Sequence, residues 1–594
     1  MKKIFIIFIL LVGLSFGCND DFLDRFPETE IAKENFFNSE EDLAIYIYDL
    51  YSFPGVGMYV GDASTDNAAT TGNTEIKTMM NGTPSAENIT GGWNWGQLRK
   101  INFFLENFDN ANIPEEALNH FEGLARFFRA RFYMDKVQRF SDVPWYSEVL
   151  GTDDEALYKG RDPRVLVVDS IFADYAFAAE HVRTSVPSGA VDKYTVLAYQ
   201  ARHALYEGTF RKYHEELGLE STANRFLQIA KDAASEIIND GGFALHSTGN
   251  PMQDYADLFT STNLSGNDEV IFAVYNQDNL RNSGWWSFMF GNYEVSPSRD
   301  LLQSYLNEDG SYYTDQNGYQ TRLFVEEFEK RDPRLYQTYA YPGFVLNNTS
   351  TYSQGGGLYV QQLQKNFSGY HQLKGFVNDP DLTVQNSIDV PVVRYAEVLL
   401  TYAEAKAELE ELTQADLDRT INAIRSRVNM PALTLNPPVD PLQQARYPEV
   451  SAPVLLEIRR ERRIELALEG FRFDDLKRWD AGKLFEKEPE GLYFPSLGKY
   501  DLTGDGIEDV FLIPYTESIP AGADKETNAL GQQLIYYKAG PVGVDAGVFL
   551  ASGDNGTVVT VPERGAFVAP KYYYRPIPET HIVVNPNLQQ IFGW

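Results

Sequence analysis

The segment Pro391 to Leu412, PVVRYAEVLLTYAEAKAELEEL, decides the fold class. Tyr395, Val398, Leu399, Tyr402, Ala403 and Leu409 recur along it at helical spacing, which predicts one apolar helical face. Ala396, Ala403, Ala405 and Ala407 leave room for a second helix to approach closely. Pro391 stands where a first-turn proline is tolerated, so the helix is expected to open there. A partner helix over Gln414 to Val428 is expected to fold back as an αα-hairpin. Beyond a Pro-rich crossing, Leu435 to Pro453, the run LLEIRRERRIELALEGFRFDDLKRW (residues 455–479) predicts another helix that stops near Gly470.

Working outward, further helices are expected at Gln97–Phe108, Glu115–Phe140, Val165–His181, Val191–Tyr213 and Ala223–Asn239. Their consecutive pairs of similar length suggest a helical-repeat scaffold. Ser39 followed by Glu41 and Asp42 marks an earlier helix start. Glu269 to Tyr275 reads as a strand. Between these elements lie long polar loops, Phe53–Trp95 and Gln277–Tyr293, and a loop-rich stretch with short β segments, Leu484–Val568. Loops of that length in a compact body more often carry function than not. The Pro, Gly and Ser residues are scattered rather than gathered into spacers, so residues 18–594 are expected to form a single domain. Its N-terminal part is about 18–330 and its C-terminal part about 331–594.

The N-terminus reads as an export signal. Lys2 and Lys3 precede an apolar run, Ile4–Phe16, that is too short to span a bilayer but suits the core of a signal peptide, residues 1–17. Cys18 follows directly and is the only cysteine in the chain, so it cannot staple the fold. Its expected use is acyl attachment, giving a lipid-anchored mature protein. A net charge of −33 argues against nucleic-acid binding, since a polyanion is repelled over the whole surface.

Catalytic signatures are absent. The sequence has no H-E-x-x-H and no G-x-x-x-x-G-K-[ST], and its histidines fall singly on separate segments. A G-x-S-x-G at Gly13–Gly17 lies inside the signal segment. Asp501-Leu-Thr-Gly-Asp-Gly-Ile-Glu-Asp509 resembles the front half of a calcium loop. Asp501, Thr503, Asp505, Ile507 and Asp509 are its candidate ligands, with an ordinary Asp-Gly turn as the alternative. The twelfth-position glutamate of such loops is Leu512 here. Arg459–Arg463, interleaved with Glu457, Glu461, Glu465 and Glu469, predicts ion pairs rather than a phosphate site.

The aromatic loops are the candidate ligand site. A sugar ring pairs an apolar C–H face with a rim of hydroxyls and is held by an aromatic plane beside polar side chains. Trp93, Trp95, Trp285 and Trp286 are the candidate planes. Asp66, Asn67, Asn94 and Asn282 are the candidate polar rim.

Taken together, these segments resemble the SusD/RagB family of outer-membrane nutrient-binding lipoproteins. Asp21-Phe22-Leu23-Asp24 and Pro27 after the cysteine resemble the family's opening. GLARFFRARFYMDKVQRFSDVPW (123–145) is similar to its long helix and following turn. RYAEVLLTYAEAKAEL, RRERRIELALEGFRFDDLKRW and YRPIPETHIVVNPNLQQ are similar to its C-terminal signatures, in the same order. The chain departs at Glu579-Thr580-His581, where the family usually has Gln-Asn-Glu. The resemblance implies a mainly α fold, a tetratricopeptide-like helix-pair superhelix with a loop-rich, partly β ligand-binding face. It implies a non-enzymatic protein at the cell surface of the outer membrane that binds oligosaccharides and passes them to a SusC-like TonB-dependent transporter. A peptide-binding RagB-like role and, less readily, a lipid-anchored glycoside hydrolase are the alternatives.

Overall fold

The computed structural model describes residues 37–284, 295–347, 352–380, 387–560 and 564–594. The signal segment, Cys18, Trp285 and Trp286 lie outside the described residues. The fold is mainly α, with small sheets of two to four strands among the described residues.

The longer N-terminal helices are α1 (Glu40–Asp49), α2 (Gly96–Leu105), α3 (Glu115–Phe140), α4 (Arg164–His181), α5 (Lys193–Tyr213) and α6 (Ala223–Asp240). Their spans follow the sequence expectation closely. Ser39 caps α1 through a reciprocal pair with Asp42, and Asp192 caps α5 by accepting from the Thr195 N–H at 2.7 Å. Helix α3 pairs with α4, and α5 with α6, as helix hairpins of tetratricopeptide type. Gly208 makes the α5–α6 approach possible: a Cβ there would lie 2.8 Å from Leu227 Cγ.

The C-terminal helices include α7 (Tyr395–Glu408), α8 (Gln414–Arg419), α9 (Ile421–Arg427), α10 (Pro453–Glu465), α11 (Arg472–Arg478) and α12 (Glu579–Val584). Two boundaries differ from expectation, and the expected stop near Gly470 is present. Pro391 does not open α7; it lies in a strand, Val390–Arg394, paired antiparallel with Val270–Val274. The pairing is irregular around Phe272 and Ala273, which suits a residue with no N–H to donate. The return helix is broken at Thr420 (φ −123°, ψ −93°) into α8 and α9. The 455–479 run is two helices, because Leu468 (φ +60°) and Gly470 (φ +81°) turn the chain between α10 and α11.

The largest sheet has four strands in the order Val548–Phe549, Ile535–Gly540, Val510–Pro514, Gly498–Tyr500. Only the last pair is antiparallel. The main apolar core gathers side chains from α1 to α7 together with Tyr572–Tyr574, Ile577 and Leu588 of the tail, so the C-terminus closes over the N-terminal helices.

Helix α10 is buried from Leu455 to Glu465 although half of it is charged. Buried charge is tolerable only when paired, and here the pairs run mostly between elements. Arg463 meets Asp66 and Asp300, Arg462 meets Asp475, and Glu465 receives Arg334, Arg394 and Arg427. The arginine-rich segment is the electrostatic hub of the C-terminal half.

Candidate functional site

The loop before α2 brings two of the expected aromatic residues together. Trp95 is the N-cap residue of α2, and Asn94 Oδ1 accepts the Gly96 N–H at 2.8 Å. Lys136 of α3 donates its ammonium to the carbonyls of Gly92 and, at 2.7 Å, Asn94, while Arg139 donates to the Gly91 carbonyl at 2.9 Å. Helix α3 thus fixes the loop from beneath. The Trp93 ring meets Trp95 edge-on at 5.2 Å and Phe140 at 4.8 Å. Trp95 in turn packs its edges on Phe132, Tyr133 and Tyr146.

Trp93 and Trp95 form one wall of a cavity of about 420 Å³ between α2, residues 144–158 and the tail around α12. Tyr146, Tyr158, Leu157 and Val584 complete an apolar lining, and Arg99, Glu148, His581 and Asn585 bring polar groups to it. Tyr158 is 48% exposed and Val584 66%, so the rim presents aromatic and aliphatic surface to solvent. The tail is tied to the opposite rim: Asn585 Nδ2 donates to the Lys159 carbonyl at 3.0 Å and Asn587 Nδ2 to the Tyr158 carbonyl at 2.7 Å.

Asn102 is the polar residue at the base. Its Nδ2 donates to the carbonyls of Tyr146 and Glu148, both at 3.1 Å, which fixes the amide orientation by chemistry. Its Oδ1 is left without a partner among the described residues. Burial, with Asp162 nearby, pushes the Tyr146 phenol up to about 12, so it stays protonated at neutral pH. A largely apolar cleft with a few fixed polar groups is the usual form of a small-molecule site.

The other sequence candidates do not join this pocket. Asp66 and Asn67 are sealed in the core. Asp66 takes both prongs of Arg472, and Asn67 donates to Asp62 at 2.8 Å and accepts from Arg463 at 2.8 Å. They are buried because Arg463 and Arg472 need counter-charge and acceptors there, so they are corrected from ligand rim to core. Asn94 is exposed beside the pocket but spends its side chain on the Gly96 N–H. Asn282 is exposed in a tight turn, accepting from the Asn279 N–H at 3.0 Å. Trp93 is only 6% exposed and acts chiefly as the support of Trp95. Sequence reading missed Tyr146, Tyr158 and Asn102. The available signals were the aromatic pair after the Asp142-Val-Pro turn and a polar residue on the buried face of α2.

The 501–509 loop connects two antiparallel strands of the four-stranded sheet. Asp501 accepts the N–H groups of Thr503, Gly504 and Gly506, Asp505 that of Ile507, and Asp509 those of Leu502 and Thr503. A cation here would compete with those bonds for the same oxygens. Among the described residues, three His or carboxylate ligand atoms converge within 4.8 Å elsewhere, at His246, Asp254 and Asp257. There, Asp254 already accepts from Ser247 and Thr248.

Comparison with known proteins places this architecture. The family model described as the SusD family matches residues 256–594. SusD-like protein P2 of Formosa agariphila is 26% identical over 514 residues, covering 81% of this chain and 92% of the relative. SusD-like protein P38 of the same organism is 23% identical, covering 80% and 91%. A SusD-like carbohydrate-binding protein of Bacteroides fragilis superposes with a TM-score of 0.66 at 25% identity, over 93% of this chain and all of that one. A further SusD-like protein of that species gives 0.65 at 21% identity, over 96% and 100%. On the family match across the C-terminal helices and the shared fold, this chain belongs to the SusD family.

Proposed function

We propose that this protein is a lipid-anchored lipoprotein of the outer-membrane surface that binds oligosaccharides without cleaving them. It hands them to a SusC-like TonB-dependent transporter. The observation that carries the reading is the pocket at Trp95, where exposed aromatic surface lies beside a small number of oriented polar groups. The B. fragilis relative described as carbohydrate-binding, alike over nearly the whole chain, supports the ligand class. Cys18 directly after the apolar export segment supports the anchor.

The test is to run the full chain through native gels cast with soluble polysaccharides and then to analyse oligosaccharides incubated with it for shortened products. Retardation by at least one polysaccharide with no new products is expected. Cleavage abolished by changing one carboxylate would replace binding with hydrolysis. Retention of oligopeptides but of no glycan would replace the ligand.

A further inference from the structure

The loop Asp501–Asp509 joins the strands Gly498–Tyr500 and Val510–Pro514. It carries Asp501, Asp505 and Asp509, and among the described residues no Lys, Arg or His forms an ion pair with any of them. Lys499, the nearest cation along the chain, pairs with Glu526 instead. The backbone bonds of the loop leave several oxygens over. Asp501 Oδ2 accepts one N–H, from Gly506, and Asp505 Oδ1 accepts one, from Ile507, while Asp505 Oδ2 accepts none. An ionised carboxylate offers about four lone-pair sites, so both groups keep room for a further partner. The Ile507 carbonyl also accepts no hydrogen bond from a described residue.

Asp509 is the decisive group. Its Oδ2 accepts the N–H groups of Leu502 and Thr503, both at 2.7 Å, which turns the carboxylate into the loop. Its Oδ1 has no partner, and the residue is 0% exposed. A buried carboxylate oxygen without a donor is costly. Burial, with the charge of Asp501 behind it, disfavours the ionised form of this group. Oδ1 is closed to water, but calcium binds oxygen at about 2.3–2.6 Å, nearer than a hydrogen-bonded water at about 2.7–2.8 Å. A gap too tight for water therefore still admits the ion, and Asp505, exposed at the loop tip, gives it a way in.

The unmet need here is a compact positive charge. Every available group is an oxygen, which suits calcium or magnesium over zinc or copper. A backbone carbonyl among the ligands suits the flexible coordination of calcium, whereas magnesium demands a near-ideal octahedron. Gly506, at φ +81°, makes the sharp turn that brings Asp509 back beside Asp501. The chain then enters a strand, where Leu512 is buried opposite Tyr537, so no glutamate closes the far side.

We propose that the Asp501–Asp509 loop binds one calcium ion through the carboxylates of Asp501, Asp505 and Asp509 and the Ile507 carbonyl, with water completing the shell. With the far side open, the dissociation constant falls in the range of extracellular calcium modules, about 10⁻⁴–10⁻³ M. The ion steadies more than the loop. Gly343 donates its N–H to the Thr503 carbonyl at 2.7 Å, and Asn528 Nδ2 donates to the Glu508 carbonyl at 3.1 Å, so two other turns are fastened to the sheet through it.

The test is calorimetric titration of calcium chloride and, separately, magnesium chloride into the full chain after EDTA treatment and dialysis. Melting curves are recorded with and without calcium, and both measurements are repeated on Asp505→Ala, Asp509→Asn and Asp257→Asn. Asp505 is exposed and holds a single N–H, so Asp505→Ala keeps the assay meaningful should Asp509→Asn fold poorly. Asp257→Asn reports on the separate cluster of His246, Asp254 and Asp257. Saturable calcium binding is expected, with a raised melting temperature and magnesium about tenfold weaker or more. Calcium affinity should fall about tenfold or more in each folded loop variant and stay unchanged in Asp257→Asn. Four results would each overturn the assignment: no saturable calcium binding up to about 10 mM, magnesium bound as tightly as calcium, calcium affinity unchanged in Asp505→Ala, or calcium affinity lost only with Asp257→Asn.

Discussion

Arg472 and Asp66, 406 positions apart in the chain, form a two-pronged ion pair with N–O distances of 2.8 and 2.7 Å. Both side chains are sealed from solvent, and Arg463 joins the same carboxylate at 3.1 Å. The pair clips the loop before the short strand Ala68–Thr70 onto α11. Removing one member of such a buried pair strands the other, at a cost of about 3–5 kcal/mol. Asp66→Ala is therefore expected to lower the free energy of unfolding by that order while leaving the ligand affinity of the folded fraction unchanged. A variant as stable as the parent would show that the pair contributes nothing net.

The same carboxyl sets a pH dependence. Burial alone would raise it, but Arg463 and Arg472 outweigh burial and hold it down to about 2. The unfolded value is about 3.9, so the stability this group contributes is complete above about pH 5 and is lost as pH falls toward 2. The stability gap between the parent and Asp66→Asn is expected to narrow across that window in denaturant titrations at stepped pH. A gap that widens on acidification would reverse the sign assigned here.

How far the sequence could be read depends on the range of the forces involved. Helices such as Glu115–Phe140 were legible because spacing and caps are local properties. The strand at Pro391 was not, because its partner is Val270–Val274, more than a hundred residues away, and the apolar run suited either element. The same limit applies to the site. Trp93 and Trp95 stand out by residue type, whereas Tyr158 and Val584 meet only once the tail folds back. Asp66 and Asn67 looked like ligand groups because their arginine partners lie some 400 residues downstream.

Two rings that line the pocket are expected to separate in their effects. Trp93, at 6% exposure, is a core residue, and Trp93→Ala should cost about 3–5 kcal/mol of stability. Tyr158, at 48% exposure, is a surface ring, and Tyr158→Ala should leave the melting temperature nearly unchanged while weakening oligosaccharide binding by about 0.5–1.5 kcal/mol. Thermal melts and titrations on the two variants check this. The reverse pattern, an affinity loss with Trp93→Ala at full stability and none with Tyr158→Ala, would move the site elsewhere.

Cys18 carries the only thiol in the sequence, the group that a thioether-linked diacylglyceryl anchor requires. Cys18→Ala is expected to shift the protein from the membrane pellet to the soluble fraction on cell fractionation. Continued sedimentation with washed membranes would mean that another contact holds it there.

The account turns on whether the pocket at Trp95 grips a glycan. Its most direct test is calorimetric titration of a panel of oligosaccharides, with oligopeptides of matched length, into the full chain and into Tyr158→Ala. The account predicts saturable binding of at least one oligosaccharide and no peptide, with affinity reduced about two- to tenfold in the folded variant. Binding of peptides alone, or an oligosaccharide affinity that Tyr158→Ala leaves untouched, would contradict it.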